Sequence, residues 1–148
     1  LCLSLPILAH SMASFGVVIR TSGYLCDLCK AYAPNIKKKD EREMLSKMWK
    51  KYYDLDYKVE QIYCEGCRCT KADAKLIDVN CPVRKCVIQK QIDHCGECKD
   101  FPCKTFFERR GLTSNEAKEK LGEDFISEEY ENYLLAYDNM TRMNKGRK

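Results

Sequence analysis

Ten cysteines lie between Cys26 and Cys103 of this 148-residue chain, and they come in groups. Cys26 and Cys29 form CDLC, and Cys64, Cys67 and Cys69 form CEGCRC. Cys81 and Cys86 bound CPVRKC, and Cys95, Cys98 and Cys103 stand in CGECKDFPC. Three of these groups hold a C-x-x-C pair. Tetrahedral zinc takes Zn–S bonds of about 2.3 Å, and a two-residue spacer lets one tight turn aim both sulfurs inward. Gly66 and Gly96 sit in two of the spacers, where such turns often need the positive φ that glycine tolerates. Three pairs in series, with further cysteines nearby, predict thiolate coordination of one or two zinc ions by these ten residues. Ten sulfurs suit two four-cysteine sites with two left over. The preferred partition joins Cys26 and Cys29 to Cys64 and Cys67, and joins Cys95 and Cys98 to two of Cys81, Cys86 and Cys103.

Other chemistries use the same side chains. An iron–sulfur cluster is the main alternative; Pro102 precedes Cys103, but the C-x2-C-x2-C-x3-C-P run is absent. Disulfides fit poorly with an odd total of 11 cysteines and with adjacent pairs that would close strained rings. Thiol redox chemistry at CGEC would need a βαβ setting, which the pattern does not offer. His94 precedes Cys95 and reads either as a substitute ligand or as a neighbouring imidazole. There is no Gly-rich phosphate loop, nucleophile elbow or H-E-x-x-H, so no catalytic residue is assigned. Zinc held by four thiolates has no open position, which points to a structural ion in a binding or interaction module. The competing function is an iron–sulfur or thiol-redox protein.

These cysteines need a scaffold. An apolar fraction of 45% with charges of both signs throughout predicts one mainly α-helical domain over residues 15–143, its irregular cysteine-rich centre stapled by metal and flanked by amphipathic helices. Residues 1–14 read as a leader outside the fold; the run is apolar but has no basic residue ahead of it, as an export signal would, and its first Met is Met12. Residues 144–148 read as a basic tail. No stretch approaches the roughly 18 apolar residues of a membrane span, and the expected location is the cytoplasm, where clustered thiols more often hold metal than disulfides. A net charge of +4 is too small to argue for nucleic acid, leaving a protein as the open choice of partner.

Within the domain, residues 15–20 suit a strand or an extended segment. Residues 38–53 form an amphipathic helix with Met44, Leu45, Met48, Trp49, Tyr52 and Tyr53 on its apolar face. Pro82 opens a short helix in which Val83, Val87 and Ile88 share a side. Phe106 and Phe107 belong to a helix ended by Gly111. Thr113 and Glu116 have capping-box spacing for another, stopped by Gly122. Ser127 is expected to cap a last helix presenting Tyr130, Tyr133, Leu134 and Tyr137.

Four stretches carry a resemblance: SGYLCDLCKAY (22–32), VEQIYCEGCR (59–68), CPVRKC (81–86) and CGECKDFPC (95–103). Over about residues 20–110 the chain resembles the cysteine-rich prokaryotic proteins grouped as the domain of unknown function numbered 3795. The resemblance implies metal binding and supplies no reaction. Members usually begin with C-G-L-x-C-x-x-C, and here Ser22 stands at the first cysteine. If that position ligates, another group such as Cys69 completes the site.

Overall fold

The computed structural model describes residues 21–145, and every regular element among them is helical. The leader and the expected extended segment at residues 15–20 lie outside the described residues. The elements are α1 (Ala33–Lys38), α2 (Arg42–Tyr53), α3 (Pro82–Gln89), α4 (Lys104–Phe107), α5 (Ser114–Leu121), α6 (Ser127–Glu129) and α7 (Asn139–Lys145), joined by short 3-10 turns. The longest stretch between α-helices, residues 54–81, contains one 3-10 turn at Val59–Gln61 and an isolated parallel bridge between Tyr32 and Cys64.

The helix expected over 38–53 is shorter, and another precedes it. Pro34 supplies a preset φ in the first turn of α1, and Lys39 breaks the path with extended backbone before α2 begins at Arg42. Leu45, Met48, Trp49 and Tyr52 of α2 are buried, whereas Met44 is exposed. Asp54, in left-handed backbone, ends the helix. This face packs with Ile62, Ala117, Tyr130, Leu134 and Tyr137 in an aromatic core. Trp49 meets Tyr57 at 5.4 Å with the rings 70° apart, and Tyr24 meets Tyr137 at 5.4 Å and 73°. Such edge contacts put positive ring edges against negative faces.

A second core surrounds the later cysteines. It contains Val83, Val87, Phe101, Phe106 and Met143, with Phe101 and Phe106 edge to face at 4.7 Å. Ile88 was expected on the buried face of α3 but is 63% exposed: in so short a helix Val83 and Val87, one turn apart, take the packed side. Phe107 likewise faces solvent.

Thr113 and Glu116 close the expected capping box, with Glu116 N–H donating to Thr113 Oγ1 at 3.3 Å and Thr113 N–H to Glu116 Oε2 at 2.9 Å. Gly122 ends α5 at φ 55°. The Arg110 guanidinium on Glu116, with the Thr113 bonds, holds that carboxyl down at about 2. Because its pKa is depressed on folding, Glu116 stabilises the fold above its ordinary range near 4.5, and that contribution fades as pH falls toward 2. Thr113→Ala is expected to cost about 1 kcal/mol in denaturant melts at neutral pH. Glu116→Gln should flatten the acid limb of the wild-type stability curve between pH 5 and 2; an unchanged limb would remove the ion pair from this account.

The end of the chain departs from a single capped helix. Ser127 makes no cap hydrogen bond, its hydroxyl instead lying 3.4 Å from Glu131 Oε1. The helix widens into a π-turn at Tyr130–Leu134, tightens to a 3-10 turn at Leu135–Tyr137, and stops at Asp138. Asp138 then caps α7 by accepting the Thr141 N–H at 3.1 Å. Gly111 is not the cap of α4, which ends at Glu108. Its lack of a side chain serves a close approach: a Cβ there would lie 2.1 Å from the Tyr137 carbonyl oxygen.

Candidate metal centre

Four thiols come together at the second core. Cys86 projects from α3, Cys95 opens a 3-10 turn at Cys95–Glu97, Cys98 closes that turn with its N–H on the Cys95 carbonyl at 3.0 Å, and Cys103 precedes α4. All four line one cavity of about 10 Å³, walled by Val83, Val87, Phe101 and Phe106. That volume is at the lower limit for one water-sized occupant. Cys95 is buried, and desolvation pushes its thiol up to about 12, with the neighbouring Cys103, Cys86 and Cys98 adding to the shift. At the mouth, Lys90 Nζ lies 3.1 Å from Cys98 Sγ and 2.7 Å from Asp100 Oδ2.

The other cysteines outside a disulfide come from the turn at Cys26–Leu28, the segment after Val59–Gln61 and the start of α3. The first C-x-x-C is also a single 3-10 turn, with Cys29 N–H on the Cys26 carbonyl at 3.0 Å. Asn35 of α1 pins it, donating to the carbonyls of Cys26 at 2.9 Å, Asp27 at 3.1 Å and Cys29 at 2.9 Å. The Tyr32–Cys64 bridge brings in the second pair: Cys64 N–H donates to Ala31 and Ala33 N–H to the Cys64 carbonyl, both at 2.8 Å. Gly66, at φ 95°, turns its N–H onto Cys64 Sγ at 3.4 Å. Cys81 is the N-cap of α3 and accepts the Arg84 N–H at 3.5 Å. Burial pushes the Cys67 thiol up to about 12, and Cys26, Cys64 and Cys81 are the thiols close enough to raise it further.

Of Cys81, Cys86 and Cys103, it is Cys86 and Cys103 that line the cavity with Cys95 and Cys98, one of the choices the expected partition left open. Cys81 packs in the second core with Cys95, and Cys29 turns its sulfur to the Tyr137 hydroxyl at 3.2 Å. Burial raises that thiol to about 11 even though the Tyr137 hydrogen bond opposes the shift. Cys69 is disulfide-bonded and is not one of the free thiols. Gly96 also differs from expectation, since it does not adopt positive φ. It leaves room instead: a Cβ there would lie 2.8 Å from Met143 Sδ and 2.9 Å from His94 Nδ1. His94 Nδ1 is buried without a hydrogen-bond partner, and Nε2 lies 3.9 Å from the Glu97 carboxylate. As the side chains stand, no three His, Cys, Asp or Glu groups among the described residues are gathered tightly enough to hold an ion.

Comparison with known families decides the kinship. The sequence model of a family described as a protein of unknown function, DUF3795, matches residues 18–108, well over half of the chain. The chain belongs to the DUF3795 family. No curated protein and no solved structure matches it. The DUF3795 stretch contains every described cysteine that is not in a disulfide and stops just beyond α4. Ser22, at the family's expected first cysteine, is buried, and its carbonyl accepts from Asn139 Nδ2 at 2.7 Å.

That bond exposes what spacing could not show: α7, outside the DUF3795 match, closes over the cysteine loops. Asn139 Nδ2 also donates to the Arg109 carbonyl at 3.1 Å, and its Oδ1 accepts the Gly111 N–H at 3.1 Å. Arg142 donates to the Gly23 carbonyl. Met143 lies against both Gly23 and Gly96. An Asn in a C-terminal segment carries no local signal for such a role, because its partners are backbone groups remote in sequence.

Proposed function

We propose that this DUF3795 protein is a metal-stabilised interaction module in which Cys86, Cys95, Cys98 and Cys103 bind one zinc ion. The observation that carries the reading is the convergence of these four thiols, from α3, a 3-10 turn and the residue before α4, on one small cavity. The donor set fits: four soft sulfurs match a closed tetrahedral zinc site. Bound zinc would supply cross-linking and no reaction, since four thiolates leave no position for water or substrate. No helix among the described residues is long and apolar enough to cross a membrane.

An interaction role is supported by what α3 and α4 leave outside. Ile88 and Phe107 are 63% and 52% exposed on the two helices that wall the thiol cavity, so the ion would hold in place the elements that carry them. The deciding experiment is elemental analysis with a visible spectrum on protein purified without oxygen. Zinc in a colourless sample is the expected result. A brown protein that bleaches on reduction would replace zinc by an iron–sulfur cluster, and a metal-free folded chain would end both readings.

A further inference from the structure

We infer that the outer surfaces of α3 and α4 dock an acidic protein segment that carries apolar side chains between its carboxylates. Ile88 and Phe107 take the apolar groups, and Lys85 and Lys104 take the carboxylates. The inference rests on the interaction role proposed above and names the chemistry of the partner; it needs the two helices in place, whatever holds them there.

The two helices repeat one arrangement. In α3, Val83 and Val87 turn to the second core, while Lys85 and Ile88, three residues apart, share the outer side and are exposed. In α4, Phe106 is buried, and Lys104 and Phe107 have the same spacing and the same exposure. The helices pack on each other and both wall the thiol cavity, so the two outer ridges stand on one buried cluster. Phe107 is further supported from beneath, its ring 6.0 Å from that of Phe106 at 69°. Each ridge therefore presents a lysine and, one turn later, a large apolar side chain.

Charge decides what kind of segment covers them. The two helices contain Arg84, Lys85 and Lys104 and no acid. Other cations nearby are engaged within the chain: Arg84 donates to the carbonyls of Asp78 and Val79, Lys90 meets Asp100, Arg109 meets Asp78, and Arg110 meets Glu116. Lys85 and Lys104 differ, since neither ammonium has a carboxylate partner among the described residues. Glu108 follows Phe107 at the far end of α4, which leaves the lysine ends of the ridges as the place for a partner's carboxylates. Burial of Ile88 and Phe107 supplies affinity, and the ammonium groups select the partner and steer its approach. A nucleic acid fits less well, because Ile88 offers no face on which a base can stack and Lys85 and Lys104 are few for a phosphate backbone.

The test pans a displayed library of random dodecapeptides on the full, reduced chain and measures the enriched peptide by fluorescence anisotropy. Peptides in which Asp or Glu alternate with Leu or Phe are expected. Combining Ile88→Ser with Phe107→Ser should weaken binding about tenfold or more. Combining Lys85→Glu with Lys104→Glu should do so at low salt, with the difference from wild type shrinking as salt rises. Met44→Ser, at an exposed apolar position of α2, should bind as wild type does. Enrichment of basic or uncharged peptides, an oligonucleotide that displaces the peptide, or full affinity in the Ile88 and Phe107 variant would overturn the proposal. Where a variant melts below the wild type, carbodiimide cross-linking of the peptide to the wild type decides instead: adducts on Lys85 and Lys104 support the surface, and adducts confined to other lysines reject it. Elemental analysis of the same sample keeps this separate from the zinc reading. A zinc-loaded chain that enriches no peptide removes the surface and leaves the ion; a metal-free folded chain that enriches acidic peptides removes the ion and leaves the surface.

Discussion

Cys98→Ser, produced alongside the wild type, is expected to lose the proposed zinc and with it the cooperative melting transition. The size of the effect follows from what surrounds the cavity. Between residues 54 and 103 the only α-helix is the eight-residue α3, and of its apolar side chains only Val83 and Val87 are fully packed. Isolated helices of this length are not stable in water, and the loops on either side lose backbone entropy of about 1–2 kcal/mol per residue on ordering. A structural zinc site contributes on the order of 10 kcal/mol, comparable with the whole stability of an ordinary domain. A strong chelator added to the wild type should reproduce the variant's melting curve. Full metal content and an unshifted melting temperature in Cys98→Ser would remove it from the ligand set. Lys90→Ala is the useful companion, because its ammonium approaches the same sulfur from the exposed side. It should keep the metal and melt close to wild type, since exposed charged contacts contribute little.

A loss of about 3–5 kcal/mol is expected for Asn139→Ala, although the residue carries no chemistry. Its amide satisfies three backbone groups at once, the carbonyls of Ser22 and Arg109 and the N–H of Gly111, in a site with 0% exposure. Each buried group left without a partner costs about 1–3 kcal/mol. Repair by movement is blocked, because Gly111 already lies against the Tyr137 carbonyl too closely to admit even a methyl group. Equilibrium denaturation of the metal-loaded protein measures the difference. A cost below about 1 kcal/mol would mean that the contacts are made by water in solution.

The helical elements were legible where one local signal sufficed. The capping box at Thr113 and Glu116, the Gly122 stop, the Pro82 start and the apolar stripe from Leu45 to Tyr52 all depend on neighbours within four residues. What failed depended on distant partners. Ile88 lost the buried face because α4 packs on the other side of α3, and Ser127 yielded its capping role because the helix already includes it, with Ile126 at the N-cap. The cysteine motifs pointed to thiols brought together by the fold but not to which of them share a cavity. Spacing favours pairing within a turn, but the Tyr137 hydroxyl holds the Cys29 sulfur. Asn35 and Asn139 went unnoticed for the same reason: their partners are main-chain atoms, which every residue possesses.

The clasp formed by Asn139, Arg142 and Met143 has a consequence in time. A ribosome extends the chain by about 5–20 residues per second, so the helix that presses on Gly23 and Gly96 is completed several seconds after Cys103 has been added. Throughout that interval the cysteine loops are made and their latch is not. On the proposed zinc reading, the ion would enter before the latch shuts and exchange afterwards would require it to reopen, so ion release would be paced by the opening of α7 rather than by the strength of the metal–sulfur bonds.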